Sequence, residues 1–302
     1  MSTSSLVMAQ PRTAVIGRFA DYLELTKPKI AVLELVVVLA AGVVATWGQP
    51  DPMLLLSAML GTLVVAASAS AANQWLEVRQ DSRMARTSSR PLPAGRLSSR
   101  EALLFSAICL IAGGAQLVWF VNLQCAFWAL ATWVIYVLVY TPLKTQSPAN
   151  TAVGAVAGAL PVLIGWSAVG AAIDGRALAL FLVLFLWQFP HFMAIAWLYR
   201  RDYAQAGHQM LTVVEPTGRR AGWQAVVAAL ALVPVSVVPV LSSPGLGGVL
   251  YVAGACLLGA GQLLLAAMFW QEANDLRARL LLRASLVYLP TLLVMLMLAP
   301  WI

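Results

Sequence analysis

Nine stretches of about twenty predominantly apolar residues limit what this chain can fold into. They run at roughly 30–47, 53–75, 101–120, 123–140, 151–170, 177–199, 222–241, 249–270 and 280–300. Each is long enough to cross a hydrocarbon core of ~30 Å as a helix. Backbone polar groups in lipid must be satisfied within the segment, so the expected fold class is an all-α polytopic membrane protein with nine transmembrane helices. Composition agrees: 61% of residues are hydrophobic and 10% charged, against roughly 45–50% and 25% in soluble domains. Residues 1–29 read as an N-terminal arm and 30–302 as a single transmembrane domain. The arm has no compact apolar core followed by a small-residue cleavage site, so no cleaved secretory signal is expected. Cys109, Cys125 and Cys256 fall in apolar stretches without metal-binding spacing and read as small hydrophobes.

The net charge of +7 is explained by where the cations lie. Eighteen of the 19 Lys and Arg residues sit in the arm or in and beside the loops after the second, fourth, sixth and eighth spans. Arg176 alone is on the other side. Lys and Arg collect on the cytoplasmic side of membrane proteins. This predicts a cytoplasmic N-terminus and a periplasmic C-terminus in a bacterial inner membrane. The basic excess therefore points to the lipid bilayer and not to nucleic acid.

Two loops on the basic side, about 77–100 and 200–221, are longer than a tight connection needs. The first opens with Asn73, Glu77 and Asp81, four residues apart and hence on one helical face, extending roughly 12 Å. Oxygen ligands in such a row suit Mg²⁺, which is commonly held by one or two carboxylates plus substrate phosphates. Arg79, Arg83, Arg86 and Arg90 follow. Arg86 and Arg90, beside Thr87, Ser88 and Pro91, are the better phosphate candidates because the chain there can fold back over the helix end. Without a ligand, the same acids would simply end a helix in water. The second loop repeats the theme: Asp202 is a candidate metal ligand and Arg200 and Arg201 are candidate phosphate contacts. A snorkelling basic anchor with a charge partner fits those arginines equally. Tyr140-Thr-Pro-Leu-Lys144 adds a cation with a phenol one turn away, and Lys27 and Lys29 add two more at the first span.

Inside the spans, Glu34 should face a cavity or a partner, because an ionisable group is costly in lipid. Gln188 and His191 share a face around Pro190. His191 is either a hydrogen-bonded structural residue or a group that meets a large planar acceptor or relays a proton. Ser98-Ser-Arg-Glu101 has the pattern of a capping box at a helix start.

Asn73-Gln-Trp-Leu-Glu77, Asp81-Ser-Arg-Met-Ala-Arg86-Thr-Ser-Ser-Arg90-Pro-Leu, Tyr140-Thr-Pro-Leu-Lys144, Trp187-Gln-Phe-Pro-His191-Phe and Asp202-Tyr203 with Gly207 and Met210-Leu211 together resemble the UbiA family of intramembrane prenyltransferases, most closely its haem-modifying branch. The likeness runs from about Thr26 to the last span. It implies a nine-helix bundle around a central cavity, with Mg²⁺ bridging acidic side chains and a diphosphate near the cytoplasmic surface. The metal set would be Asn73, Glu77, Asp81 and Asp202. Lys27, Arg86, Arg90, Arg200 and Arg201 would meet the diphosphate, and Asp81, Lys144, Tyr140 and Asp202 would carry the chemistry. The implied reaction moves a farnesyl group from farnesyl diphosphate to a vinyl group of haem B, with addition of water. His191 and Gln188 would lie against the haem, and haem A synthase or an oxidase-assembly protein would be a partner. The chain departs from the wider family pattern at Gln74, Glu77 and Leu198, where that pattern has aspartates, which leaves fewer ligands for two metal ions. A prenyltransferase for an aromatic quinone precursor and a transporter of haem or a lipid precursor are the rival readings.

Overall fold

The computed structural model describes residues 14–241 and 245–302. Among these residues nine helices are long and apolar enough to cross a membrane. They are α1 (Pro28–Ala45), α2 (Pro52–Leu76), α3 (Ser99–Phe120), α4 (Leu123–Leu143), α5 (Asn150–Ala168), α6 (Gly175–Leu198), α7 (Arg219–Val240), α8 (Leu246–Gln271) and α9 (Asp275–Trp301). All nine expected spans are present within a few residues of their predicted ends. The largest difference is at α9, which begins before the apolar run does. Asn274 caps it by accepting from the Arg277 backbone N–H, so the helix starts among charged residues that hydropathy alone passes over.

Local chemistry accounts for most helix starts. Asp51, Asn122 and Asp174 each accept backbone N–H groups of the following turn, and Ser98 and Glu101 form the expected reciprocal capping box. Pro161 divides α5 into Asn150–Ala159 and Pro161–Ala168. α4 is irregular as well. Residues Ile135–Tyr140 wind as a π-helical turn just before Pro142, which has no N–H to continue the regular ladder. The Tyr136 carbonyl accepts from both the backbone and the hydroxyl of Thr141.

Consecutive helices pack side by side from α1 to α9, α6 also packs on α9, and α9 returns to α1, so the bundle closes. Its outer surface is apolar: Ile108, Ile111, Trp119, Leu257 and Leu264 are largely exposed, as expected of side chains that meet lipid. The chain is a multi-pass membrane protein. Preceding α1, the arm helix Ala14–Leu25 is tied to the 77–100 loop by Arg96, which pairs with Asp21 and Glu24 at 2.6 Å each, and to α3 by the Arg18–Glu101 pair.

Without a hydrophobic driving force in lipid, helices associate through close packing at small residues. α1 and α5 do so at Gly165, where an added Cβ would collide with the Val38 carbonyl oxygen. A Gly165→Val substitution should therefore push these helices apart and lower stability by about 1–3 kcal/mol or more, read as a drop in Tm in detergent. Gly114→Ala in α3, where nothing lies within 4 Å of the added Cβ, should leave Tm unchanged or slightly raised.

Candidate active site

The end of α2 is the centre of the charged face. Asn73 is fully buried and makes three side-chain hydrogen bonds. Its Nδ2 donates to Glu77 Oε2 and to Thr141 Oγ1, both at 2.9 Å, and its Oδ1 accepts from Lys27 Nζ at 2.6 Å. Lys144 Nζ lies 2.8 Å from Glu77 Oε1 and 3.0 Å from Oε2. Asp81, buried one turn further on, accepts from Arg90 at 2.7 Å. Its backbone carbonyl accepts from Thr87 Oγ1 at 2.9 Å. The loop after α2 thus folds back over the helix end, as the spacing of Arg86 and Arg90 predicts.

Each acid therefore rests against a cation supplied by a different segment. Lys27 comes from the residue before α1, where it adopts a left-handed conformation (φ 51°). For a residue with a side chain this is uncommon, and such conformations persist where surrounding contacts impose them. Here the impositions are Pro28, the bond to Asn73, and Gln74 Nε2 donating to the Leu25 carbonyl at 2.8 Å. Gln74, which stands where the wider family pattern has an acid, is thus a buttress for the arm. Leu198, the departure in the second loop's pattern, packs in an apolar cluster with Met193, Trp197 and Phe269.

Electrostatics follow from this crowding. Burial works against the Glu77 carboxylate, yet Lys144 and Lys27 hold it below the usual carboxylate range. Burial likewise works against Lys144, but Glu77, Tyr140 and Tyr136 hold its ammonium well above the ordinary lysine value. Lys27 is the opposite case. Burial, reinforced by Arg90 and Lys144, pushes it down to about 7 in spite of Glu77 and Asp81. Removing one member of a buried pair such as Lys144–Glu77 costs roughly 3–5 kcal/mol.

Beneath this layer lies a cavity of about 480 Å³, within the ~300–1,000 Å³ typical of small-ligand sites. Glu34, Trp133, Tyr136, Tyr140, Gln188 and His191 are among its lining residues, so Glu34 does face a hollow. The π-helical turn presents Tyr136 and Tyr140 with ring centroids 5.5 Å apart, and Lys144 Nζ stands 4.6 Å above the Tyr140 ring. Tyr140 thus touches both layers. Gln188 donates to the Ala155 and Leu184 carbonyls.

The structure gathers Asn73, Glu77, Asp81, Lys27, Lys144, Arg90 and Tyr140 and distributes the 200–221 loop differently. Arg86 reaches across to that loop, its guanidinium 4.9 Å from the centroids of both Tyr199 and Tyr203. Arg200 turns away from the centre. It pairs with Asp275 at 3.1 Å, bonds the Trp197 carbonyl and stacks on the Trp197 ring, the anchoring arrangement that fits its position at a helix end. Arg201 is exposed and Asp202 half-buried. Thr141, Tyr136 and His208 are the neighbours that sequence reasoning did not single out. His208 is buried with Glu77, Gln80 and Thr141 around a smaller hollow of about 120 Å³, and burial pushes its imidazole below the ordinary range. Tyr136, one aromatic step from Tyr140 in sequence, was the only one with a readable signal.

The model of the UbiA prenyltransferase family matches residues 35–298, and the chain belongs to that family. Among curated relatives, a protein named protoheme IX farnesyltransferase from Rhodopirellula baltica is 45% identical over 282 residues, covering 90% of this chain and 96% of the relative. A protein of the same name from Solibacter usitatus is 42% identical over 282 residues, covering 89% and 95%. Among solved structures, a digeranylgeranylglyceryl phosphate synthase superposes with a TM-score of 0.78 at 19% identity, covering 94% of this chain and 99% of that one. A UbiA homologue from Archaeoglobus fulgidus bound to DMAPP and Mg²⁺ gives 0.69 at 18% identity, covering 89% and 99%. At such identities these two establish the fold alone.

A polyanion entering this face would restore the Lys27 ammonium. At pH 8, where free Lys27 is largely neutral, Mg²⁺-pyrophosphate binding should take up a proton; at pH 6, where it is already charged, uptake from this group should vanish. Calorimetry in buffers of different ionisation enthalpy measures this, and Lys27→Met should abolish the pH 8 uptake.

Proposed function

We propose that this chain transfers a farnesyl group from farnesyl diphosphate to a vinyl group of haem B, with addition of water, giving haem O. One observation carries the anion half of this reading. Two buried carboxylates, Glu77 and Asp81, are surrounded by Lys27, Lys144 and Arg90, an excess of positive charge directly above an aromatic cavity, with Arg86 close by on Tyr199 and Tyr203. A prenyl diphosphate has the matching form, a polyanionic head on an apolar tail. The haem acceptor and the farnesyl donor are supported by the names of relatives 37–45% identical over most of this chain.

Among the described residues no three of His, Cys, Asp and Glu stand together as a metal site, so the fit of Mg²⁺ rests on the two neighbouring acids and the substrate's own phosphates. Glu77 and Asp81 offer hard oxygen donors, and Asp81 Oδ1 accepts no hydrogen bond among the described residues. Asn73, its amide spent on Glu77, Thr141 and Lys27, positions Glu77. Asp202, half-buried on the 200–221 loop and apart from that pair, is the remaining acid of the proposed set and would have to approach it. Bound there, Mg²⁺ would neutralise charge on the leaving diphosphate.

The rest of the mechanism belongs to the chain. Lys144 and Arg90, which rest on Glu77 and Asp81, are the cations nearest those acids and would supply phosphate contacts to a diphosphate bound beside them. Lys27 and Arg86 add charge, and Arg201 stands at the rim. Their combined field stabilises the charge developing on diphosphate, the main electrostatic task of this step. Tyr136, Tyr140 and Trp133 line the cavity, so their rings are available to the allylic cation. The dry lining keeps water from trapping it before the vinyl carbon attacks. The basic face lies in the cytoplasm, the C-terminus on the other side of a bacterial inner membrane, and residues 30–302 act as one domain. The product's isoprenoid tail keeps it in the bilayer, where haem A synthase or an oxidase-assembly protein would receive it.

Purified protein given farnesyl diphosphate, Mg²⁺ and haem B should yield haem O by mass, and 4-hydroxybenzoate in place of haem should yield nothing. Asp81→Asn should fall by on the order of 10²-fold or more in turnover while remaining folded. Prenylated 4-hydroxybenzoate as the product, or unchanged turnover in the variant, would overturn the acceptor or the metal site respectively.

A further inference from the structure

His191 in α6 offers the cavity one specific nitrogen, and its hydrogen bonds identify which. Its Nδ1 lies 2.9 Å from Ser285 Oγ of α9. The Ser285 hydroxyl has a single hydrogen, which it donates to the Leu282 carbonyl at 2.7 Å. A carbonyl can only accept, so toward His191 the serine oxygen must accept as well. The proton on the ring is therefore on Nδ1, and Nε2 carries a free lone pair. Nε2 makes no hydrogen bond among the described residues, and His191 lines the 480 Å³ cavity.

The ring is held against rotation. It stacks on Trp187 with centroids 4.8 Å apart and planes 22° from parallel, and Trp187 Nε1 donates to the Ser285 carbonyl at 2.8 Å. Ser285, fully buried, thus fixes both the tautomer of the imidazole and the aromatic plate beneath it. Metal-binding histidines have this construction: the far N–H is given to an oxygen, which sets the tautomer and orients the free nitrogen.

We propose that Nε2 of His191 is an axial ligand to the iron of the haem substrate, with Ser285 as its positioning residue. The inference rests on haem as the acceptor and goes further, because it makes the iron, and not only the porphyrin plane, an element of recognition. Coordination forms one Fe–N bond, displaces a solvent ligand and changes no oxidation state. Imidazole is a common ligand of haem iron. Pinning the metal centre at one point in α6 would fix the distance from the macrocycle to the diphosphate layer and so restrict which ring substituent reaches the farnesyl C1.

Titration of the purified full-length protein with ferric haem B tests this by absorption and electron paramagnetic resonance. The wild type should show a histidine-ligated spectrum. His191→Ala should lose it and bind haem 10–100-fold more weakly, and added imidazole should restore the spectrum. Ser285→Ala should keep a ligated spectrum with a shifted Soret band and weaker binding, which loss of packing alone would not produce. Metal-free protoporphyrin IX should bind wild type and His191→Ala equally. An unchanged haem spectrum and affinity in His191→Ala would overturn the ligation while leaving haem as the acceptor. Failure of the wild type to bind haem at all would overturn both.

Discussion

The hydrogen bonds of Asn73 are the constraint on which the charged face depends. A neutral amide with no exposure joins two segments distant in sequence, the residue before α1 through Lys27 and the end of α4 through Thr141, to the end of its own helix through Glu77. Buried polar groups are tolerable only when satisfied, so each of these contacts fixes the place of the others. Lys144 then arrives on Glu77 because α4 has already been registered by Thr141, and the left-handed conformation of Lys27 goes with the bond its Nζ donates to Asn73. The acids, the cations and the ends of three helices therefore form one unit.

Much of this was legible in the sequence, for identifiable reasons. Span positions follow from the length of hydrocarbon that a helix must cross, and the row Asn73, Glu77, Asp81 follows from helical periodicity. The fold-back that brings Arg90 to Asp81 was readable from arginines set beside Thr87 and Pro91. The role of Gln74 was not, because a single glutamine gives no hint that its partner is a carbonyl on the arm. The anchoring of Arg200 was one of its two sequence readings, but the identity of its partner Asp275, far along the chain, was not legible. Both depend on contacts between distant segments, which a local pattern does not encode. Ser285 shows the same limit most sharply: a small hydroxyl in an apolar span carries no visible signal, yet it orients two aromatic rings on another helix.

The site divides its work by depth. Charges lie at the end of the bundle and aromatic rings below them, so ionisation and alkylation occur in adjoining but chemically different surroundings. Tyr140 is the joint between them, with Lys144 on one side and the cavity on the other. Among the described residues Glu34 is the one acid that lines the cavity, apart from the cluster above it.

The π-helical turn in α4 carries a geometric consequence. One extra residue per turn rotates everything downstream by about 100° relative to a regular helix, so the angular position of Lys144 and Thr141 is set by that surplus and not by the rest of the span. Shortening α4 by a single residue there would give a more ordinary helix of nearly the same length and hydropathy, while swinging its charged tip away from Glu77. The bundle's ability to handle an anion is in this sense encoded by an irregularity of winding as much as by the identity of the side chains.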